Sequence, residues 1–255
     1  MKKVSACIVT YDGYGEARLA ANTLIEQTKG VELSLFIVDN NSPDGTGEKM
    51  REEFAEKATV ILLPKNKGFS GGHNEVISRI ESDYHAVVNP DITLTQDALL
   101  KIVQYMEANP EVIAVVPKLL FPSGEEQLIA KREPTLLALI SRRIPLPGLK
   151  KLEEHYLMLD EDLTIPQKIE FCTGCFFVMR TEMFKKIGGF DERYFMYFED
   201  ADIGRMALEY GDIVYLPTAQ AYHAWHRQTK NRASHFFMQL RSMFRYFGKW
   251  GFRLK

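Results

Sequence analysis

Five short apolar runs, at residues 4–10, 33–39, 59–63, 84–89 and 112–117, are separated by four stretches with helical spacing, at 16–28, 44–57, 71–81 and 96–109. This alternation constrains the fold more than any other property of the chain. The runs are rich in β-branched residues and are apolar almost without interruption, so both faces of each strand are to be buried. In the first helical stretch Ala17, Ala20, Ala21, Leu24 and Ile25 fall on one side. Repeated strand-helix units of this kind assemble into a Rossmann-like, mostly parallel central sheet flanked by helices, an α/β fold. Ligands of such sheets bind in the crevice outside the carboxyl ends of the strands.

Those strand ends are polar. The first ends at Thr10-Tyr11-Asp12, the second at Asp39-Asn40-Asn41-Ser42 and the fourth at Asn89-Pro90-Asp91. The third is followed by Asn66-Lys67-Gly68-Phe69-Ser70-Gly71-Gly72-His73-Asn74. Each alone reads as a loop with capping residues. Together, at one edge of one sheet, they read as a ligand site. The glycine loop is neither a dinucleotide fingerprint nor a P-loop, because Gly13-Tyr14-Gly15 lacks the third glycine and no Gly-Lys-Ser/Thr occurs. Its glycines nevertheless let backbone approach a ligand closely, and the helix that begins nearby offers free N–H groups. Asp91 reads either as a turn aspartate or as a ligand for a hard cation such as Mg2+.

A second acidic site lies far downstream, in Glu199-Asp200-Ala201-Asp202, after the aromatic run Tyr194-Phe195-Met196-Tyr197-Phe198. Aromatic surroundings and clustered acids raise a carboxyl pKa, which suits a general base. The same acids could only charge the first turn of a helix, and that is the expectation for Asp202.

Composition excludes several classes. A net charge of −2 does not indicate a nucleic-acid partner. No apolar run approaches the ~20 residues of a membrane span, and no signal-type segment follows Met1, so a cytoplasmic location is expected. Three cysteines do not make a disulfide framework. Cys172-Thr173-Gly174-Cys175 continues into Phe176-Phe177-Val178-Met179, which reads as a strand, and no second pair completes a zinc site; the pair reads as structural.

The ordered set Val9-Thr10-Tyr11, Val38-Asp39-Asn40-x-Ser42, Asn66-x-Gly68-Phe69-x-Gly71-Gly72-x-Asn74, Asn89-Pro90-Asp91, Gly174-x-x-x-x-x-Arg180, Gly188-Gly189-Phe190-Asp191-Glu192 and Glu199-Asp200-x-Asp202 resembles family 2 glycosyltransferases of the GT-A fold. Within that family the pattern is most similar to bacterial rhamnosyltransferases and related cell-surface polysaccharide enzymes. The resemblance runs from about Val4 to His226. Each piece is weak alone, whereas the ordered set is specific.

The resemblance implies an inverting transfer of a sugar, rhamnose from dTDP-rhamnose in this branch, to a hydroxyl of a cell-surface glycan or lipid-linked acceptor. It implies that Thr10, Tyr11 and Asp39 hold the base and ribose of the nucleotide-sugar donor. Asn66, Gly68, Phe69, Gly72, Asn74, Asn89 and Gly174 would line the substrate side. Asp91 would be the last acid of the family's metal motif, for Mg2+ or Mn2+; Asn89 stands at the first acid's position, which leaves one carboxylate fewer for the ion. Asp200 would be the catalytic base, and Glu199 would orient Asp200 or the acceptor. His223 would reach the metal or the diphosphate, or else be a strand-end histidine. Beyond it the chain departs from the family's pattern with Trp225-His226-Arg227-Gln228, where the charge of Arg227 suits phosphate.

The expected organisation is one GT-A domain over 1–226, with a nucleotide-sugar half at 1–117 and an acceptor and catalytic half at 118–226, followed by a basic amphipathic helix at 227–255. Residues 121–168 read as an irregular insertion near the acceptor. From Arg227 to Lys255 there are eight Lys or Arg and no acid. Within 234–252, Phe237, Leu240, Phe244 and Phe247 share helical spacing, with Arg241 and Arg245 one turn apart. Such a helix lies on the anionic inner face of the cell membrane, packs on its own domain, or joins a homodimer. Two other functions share the crevice. A nucleotidyltransferase would carry a basic Gly-rich signature near the N-terminus, which is missing. A catalytically inactive sugar-nucleotide-binding module would show no turnover.

Overall fold

The computed structural model describes residues 1–142, 147–225 and 232–252. Its first half runs β1 (Lys3–Thr10), α1 (Tyr14–Gln27), β2 (Glu32–Asp39), α2 (Thr46–Phe54), β3 (Thr59–Leu62), α3 (Gly68–Asn74), β4 (Tyr84–Val88), β5 (Ile92–Leu94), α4 (Ala98–Ala108) and β6 (Val112–Leu120). The second half runs α5 (Leu136–Ser141), α6 (Lys150–Tyr156), β7 (Gln167–Ile169), β8 (Phe176–Arg180), α7 (Thr181–Lys186), α8 (Glu199–Ala207), β9 (Asp212–His223) and α9 (Arg232–Trp250).

The strands form one sheet in the order β3-β2-β1-β4-β8-β6-β9-β5, with β7 on β9. β1, β2, β3 and β4 pair in parallel, as do β6 and β9. β8 is antiparallel to β4 and β6, and β5 and β7 are antiparallel to β9. Six strands therefore run one way and three the other. In β1, Val4, Ala6, Cys7 and Ile8 are wholly buried, as the uninterrupted apolar pattern requires of a central strand. α1 buries Ala17, Ala20, Ala21 and Leu24 on one side.

The two antiparallel insertions place the site. Because β8 runs against β4, the turn at its start lies beside the carboxyl end of β4, where the Asn89 N–H donates to the Cys175 carbonyl at 2.8 Å. Because β5 runs against β9, Ile92 pairs with His223, and the Ala224 N–H donates to the Asp91 carbonyl at 3.0 Å. Two loops far apart in the chain thus meet at the edge of the crevice.

Three expectations are corrected. The helix expected at 71–81 is α3, which begins at Gly68 and ends at Asn74, with a separate turn of 3-10 helix at Ile77–Arg79. Close packing decides this. A Cβ on Gly72 would come within 2.6 Å of Val9 Cγ1, and one on Gly68, whose φ is +72°, within 2.3 Å of the Phe195 carbonyl oxygen. The insertion at 121–168 is not irregular throughout. It holds α5, α6 and β7, and it buries Ile129, Ala130 and Met158 in the main core. The tail helix packs on its own domain, but of the aromatic face its spacing suggests only Phe247 is buried. Tyr246 and Phe247 are buried in a second cluster with Phe171, Tyr194 and Ala201, whereas Phe237 and Phe244 stay 68% and 59% exposed.

Candidate active site

The segment that carries the clustered acids is held under backbone strain. Tyr197 and Phe198 both have left-handed φ values, +72° and +65°, immediately before α8. Non-glycine residues adopt this region at a cost of ~1–3 kcal/mol each, and only where surrounding contacts enforce it. α9 supplies those contacts. Ser242 Oγ donates to the Met196 carbonyl at 2.9 Å, Tyr197 Oη is 2.8 Å from His235 Nδ1, and the Phe198 and Tyr246 rings lie 5.6 Å apart. Asp202 completes the clamp. Its carboxylate, 1% exposed, accepts from Lys249 Nζ at 2.7 Å and from Trp250 Nε1 at 2.6 Å. The expectation that Asp202 serves the start of a helix is corrected: it anchors α9 to α8.

Asp200 points into the crevice beside Gly174. A Cβ on Gly174 would sit 3.3 Å from the Asp200 Cβ, so glycine clears that space. Asp200 Oδ1 accepts from the Ala201 N–H at 2.9 Å. Glu199 is buried beneath, and its Oε2 has no hydrogen-bond partner. Burial pushes the Glu199 carboxyl well above the usual range, and the charge of Asp200 pushes it further. Burial also raises Asp200, but the Lys131 ammonium and backbone N–H groups pull it back. Both carboxyls are thus raised, and of the two Asp200 is the one with a cation and backbone N–H groups that favour its charged form. Lys131 lies over the Phe171 ring, 4.5 Å from its centre. Burial lowers its pKa and Asp200 opposes that shift.

The facing wall is built on Asn89, Asp91 and His223. His223 Nε2 lies 3.4 Å from Asp91 Oδ2. Its other ring nitrogen is 2.8 Å from Gln127 Oε1, while Gln127 Nε2 donates to the His223 carbonyl at 2.8 Å. A carbonyl accepts only, so the Gln127 amide cannot be turned around. Its oxygen then accepts from the Nδ1 N–H, and Nε2 is the ring atom that faces Asp91. Trp225 stacks between Phe121 and His223, with ring centres at 5.7 and 6.1 Å. In its neutral form the imidazole, with the Asp91 carboxylate, would suit a hard or borderline cation that takes its remaining ligands from water and phosphate oxygens. No group of three or more His, Cys, Asp or Glu able to hold a metal exists among the described residues.

Asp200, Glu199, Asn89 and His223 line a pocket of about 440 Å³, within the usual ~300–1,000 Å³ of ligand sites, whereas Asp91 lines a neighbouring cavity with Pro90, Thr93 and Tyr222. Of the residues expected from sequence, Phe69, Asn89, Gly174, Glu199, Asp200 and His223 line the Asp200 pocket. The family-model comparison decides what this crevice belongs to: the model of glycosyl transferase family 2 matches residues 5–188. The chain belongs to that family. Two curated relatives are the N-acetylglucosaminyl-diphospho-decaprenol L-rhamnosyltransferase of Mycobacterium tuberculosis, 26% identical over 80% of this chain and 70% of that protein, and rhamnosyltransferase WbbL of Escherichia coli K12, 27% identical over 71% and 70%. Among solved structures, GalNAc-T7 with UDP, GalNAc and Mn2+ superposes with a TM-score of 0.71 at 13% identity, over 97% of this chain and 48% of that one. The Pyrobaculum calidifontis mannosyltransferase PcManGT with GDP-Man and Mn2+ gives 0.65 at 15% identity, over 96% and 63%. The chain spans about half the length of the first of these and shares the GT-A fold with both.

The other residues that the family resemblance singled out lie along the ends of β1 and β2. Thr10 is buried with no partner for its hydroxyl, and Tyr11 is 47% exposed. The buried Asp39 carboxylate accepts from the Ser42 N–H and hydroxyl. Asn66 Oδ1 accepts from the Gly68 N–H at 2.8 Å and shapes the glycine turn. Asn74 bridges to the Gly-Gly-Phe segment: its amide donates to the Phe190 carbonyl at 2.7 Å and accepts from the Phe190 N–H at 2.9 Å. Gly72 packs on Val9. Asn74 and Gly72 therefore brace the family 2 crevice rather than line the pocket. Arg227 lies outside the described residues. Cys172 and Cys175 are free thiols, and burial pushes both up, Cys175 to about 11, so neither is a thiolate at neutral pH. Lys131, Gln127 and Arg142 line the pocket and belong to no motif. Only the return of the insertion across the crevice brings them in.

Proposed function

We propose that this family 2 protein is an inverting glycosyltransferase that moves a sugar, L-rhamnose by the names of its relatives, from a nucleoside diphosphate to a hydroxyl of a lipid-linked or glycan acceptor. The observation that carries this reading is the placement of Asp200 and the buried Glu199 in one pocket with His223, whose Nε2 lies 3.4 Å from Asp91. Asp200 takes the proton of the acceptor hydroxyl as its oxygen attacks the anomeric carbon. The bond from that carbon to the diphosphate breaks, and its electron pair stays on the leaving phosphate oxygen. One displacement inverts the carbon and needs no protein nucleophile.

Asp91 and His223 Nε2 would hold Mg2+ or Mn2+, and the solved neighbours with UDP or GDP-Man contain Mn2+. When bound, the ion offsets the negative charge that grows on the departing diphosphate. Trp225 and Phe121 keep the imidazole in place. No helix among the described residues is long and apolar enough to cross a membrane. A peripheral position at the inner face of the cell membrane suits a lipid-linked acceptor.

The test is a panel of nucleotide sugars with Mn2+, read first by thermal shift and then by transfer to a GlcNAc-diphosphate lipid. A true donor at 100 times its dissociation constant adds ~2.7 kcal/mol of stability. Asp200→Asn should keep that shift and lose ~10²–10⁴-fold in transfer. Near-normal transfer by Asp200→Asn would overturn the assignment.

A further inference from the structure

The geometry points to a groove between α5 and α9 as the seat of an isoprenoid tail, the apolar part of a diphosphate-linked lipid acceptor. The proposal rests on the lipid-linked reading above and adds where that lipid binds. The groove measures about 460 Å³ and is lined by Leu136, Leu139, Ile140, Phe236, Leu240 and Met243, with Phe198 at its floor. It is open to solvent, and Ile140 and Phe236 are 42% and 46% exposed. Its volume and mostly apolar lining are those of a small-molecule site.

Two features say what covers it. The first is continuity with the catalytic pocket. Arg142, at the end of α5, lines both cavities, and Phe198 in the groove adjoins Glu199 and Asp200 in the pocket. A ligand that fills both must be polar and anionic at the Arg142 end and apolar beyond it. The second is charge. Arg142 and Lys131 line the catalytic pocket, whereas Arg245 and Lys249 of α9 are turned to Tyr194 and Asp202. A second protein chain would have no reason to be apolar in the groove and anionic at its catalytic end, whereas a prenyl diphosphate is built that way. The volume accommodates the first isoprene units only, so the rest of a long tail stays in the bilayer.

The experiment is calorimetric titration of the full chain with farnesyl diphosphate and with isopentenyl diphosphate, which share a headgroup and differ in tail. Farnesyl diphosphate should bind at least tenfold more tightly, a gap of ~1.4 kcal/mol. Ile140→Glu with Leu240→Glu should remove the gap. Both side chains lie outside the two buried clusters that α5 and α9 join, and an unchanged melting temperature verifies folding. Phe237→Glu, on the same helix but outside the groove, should keep the gap. Equal binding of the two diphosphates by the native chain overturns the proposal, as does loss of the gap in Phe237→Glu. Binding of phosphatidylglycerol vesicles that depends on Leu240, without any farnesyl preference, also overturns it and makes the groove a membrane contact. Transfer to a water-soluble alkyl acceptor is measured in parallel. If that transfer occurs and the farnesyl preference is missing, the enzyme reading stands and the groove assignment fails; the opposite pair of results separates them the other way.

Discussion

Replacing Asp202 by alanine removes the one carboxylate that ties α9 to α8. Trp250 Nε1–H loses its acceptor at 2.6 Å, and the Lys249 ammonium loses its nearer carboxylate at 2.7 Å while keeping Asp191 at 3.4 Å. Hydrogen bonds to a charged group contribute ~1.5–3 kcal/mol each. The Lys249 side chain is 24% exposed and can turn to water, so its share is discounted. The expected loss is ~2–4 kcal/mol. That is comparable with the ~1–3 kcal/mol stored at each of Tyr197 and Phe198, so the loop should relax when the clamp goes. The assay is hydrogen exchange read by mass spectrometry. At ~1.4 kcal/mol per tenfold, protection in peptides covering residues 194–202 and 234–250 should fall by ~30- to 1,000-fold. Peptides from β1 to β4 should keep theirs. Transfer should fall while donor binding persists, because the donor crevice is built from β1, β2 and β4. Full protection of α9 in Asp202→Ala, or an equal loss of protection throughout the chain, would refute the reasoning.

Glu199→Gln should cost much less transfer than Asp200→Asn, because glutamine mimics the proton-holding state that burial enforces on Glu199; single-turnover rates showing the reverse order would exchange the two roles. Gln127→Leu should weaken Mn2+ binding by ~10–100-fold, read by electron paramagnetic resonance on the chain without donor, since it frees the His223 tautomer; unchanged affinity would remove His223 from the metal site. Burial lowers the pKa of His85 to about 3. The unfolded chain therefore binds its proton first. Stability from this group is complete above ~6.5 and is lost as pH falls towards 3, at ~1.4 kcal/mol per pH unit. Urea midpoints at pH 7 and 5 should converge in His85→Gln, and an unaltered difference between them would exclude the effect.

The parallel half was legible because its information is local. Apolar runs, helical spacing and polar strand ends all lie within a few residues of one another, and β1 to β4 follow them closely. The antiparallel strands were not. β5 has three residues, and its pairing partner in β9 lies about 130 positions on, so neither periodicity nor length marks it. A separation of 96 positions hides Gln127, whose effect on His223 exists only once β9 lies beside β6. Lys131 carries no motif, and its meaning comes from Asp200, 69 positions later in the chain. Asp202 shows how an intelligible local reading can mislead. Its place in the first turn of α8 suggested a helix-start charge, and only the docking of α9 reveals a buried anchor. The acids of the motif were found by type and order, whereas the raised pKa of both Glu199 and Asp200 depends on burial that no spacing encodes.

The strained loop before α8 has a consequence for the order in which the molecule is made. Its hydrogen-bonded and charged partners, His235, Ser242, Lys249 and Trp250, leave the ribosome after it, the last two from 47 and 48 positions beyond Asp202. Domains emerge N-terminal first, at ~5–20 residues per second, and parallel neighbours such as β1, β2 and β4 can meet as soon as they are exposed. Until α9 emerges, the nascent chain lacks the contacts that hold Tyr197 and Phe198 left-handed. The proposed base, Asp200, is therefore held in place by contacts that exist only once α9 has docked.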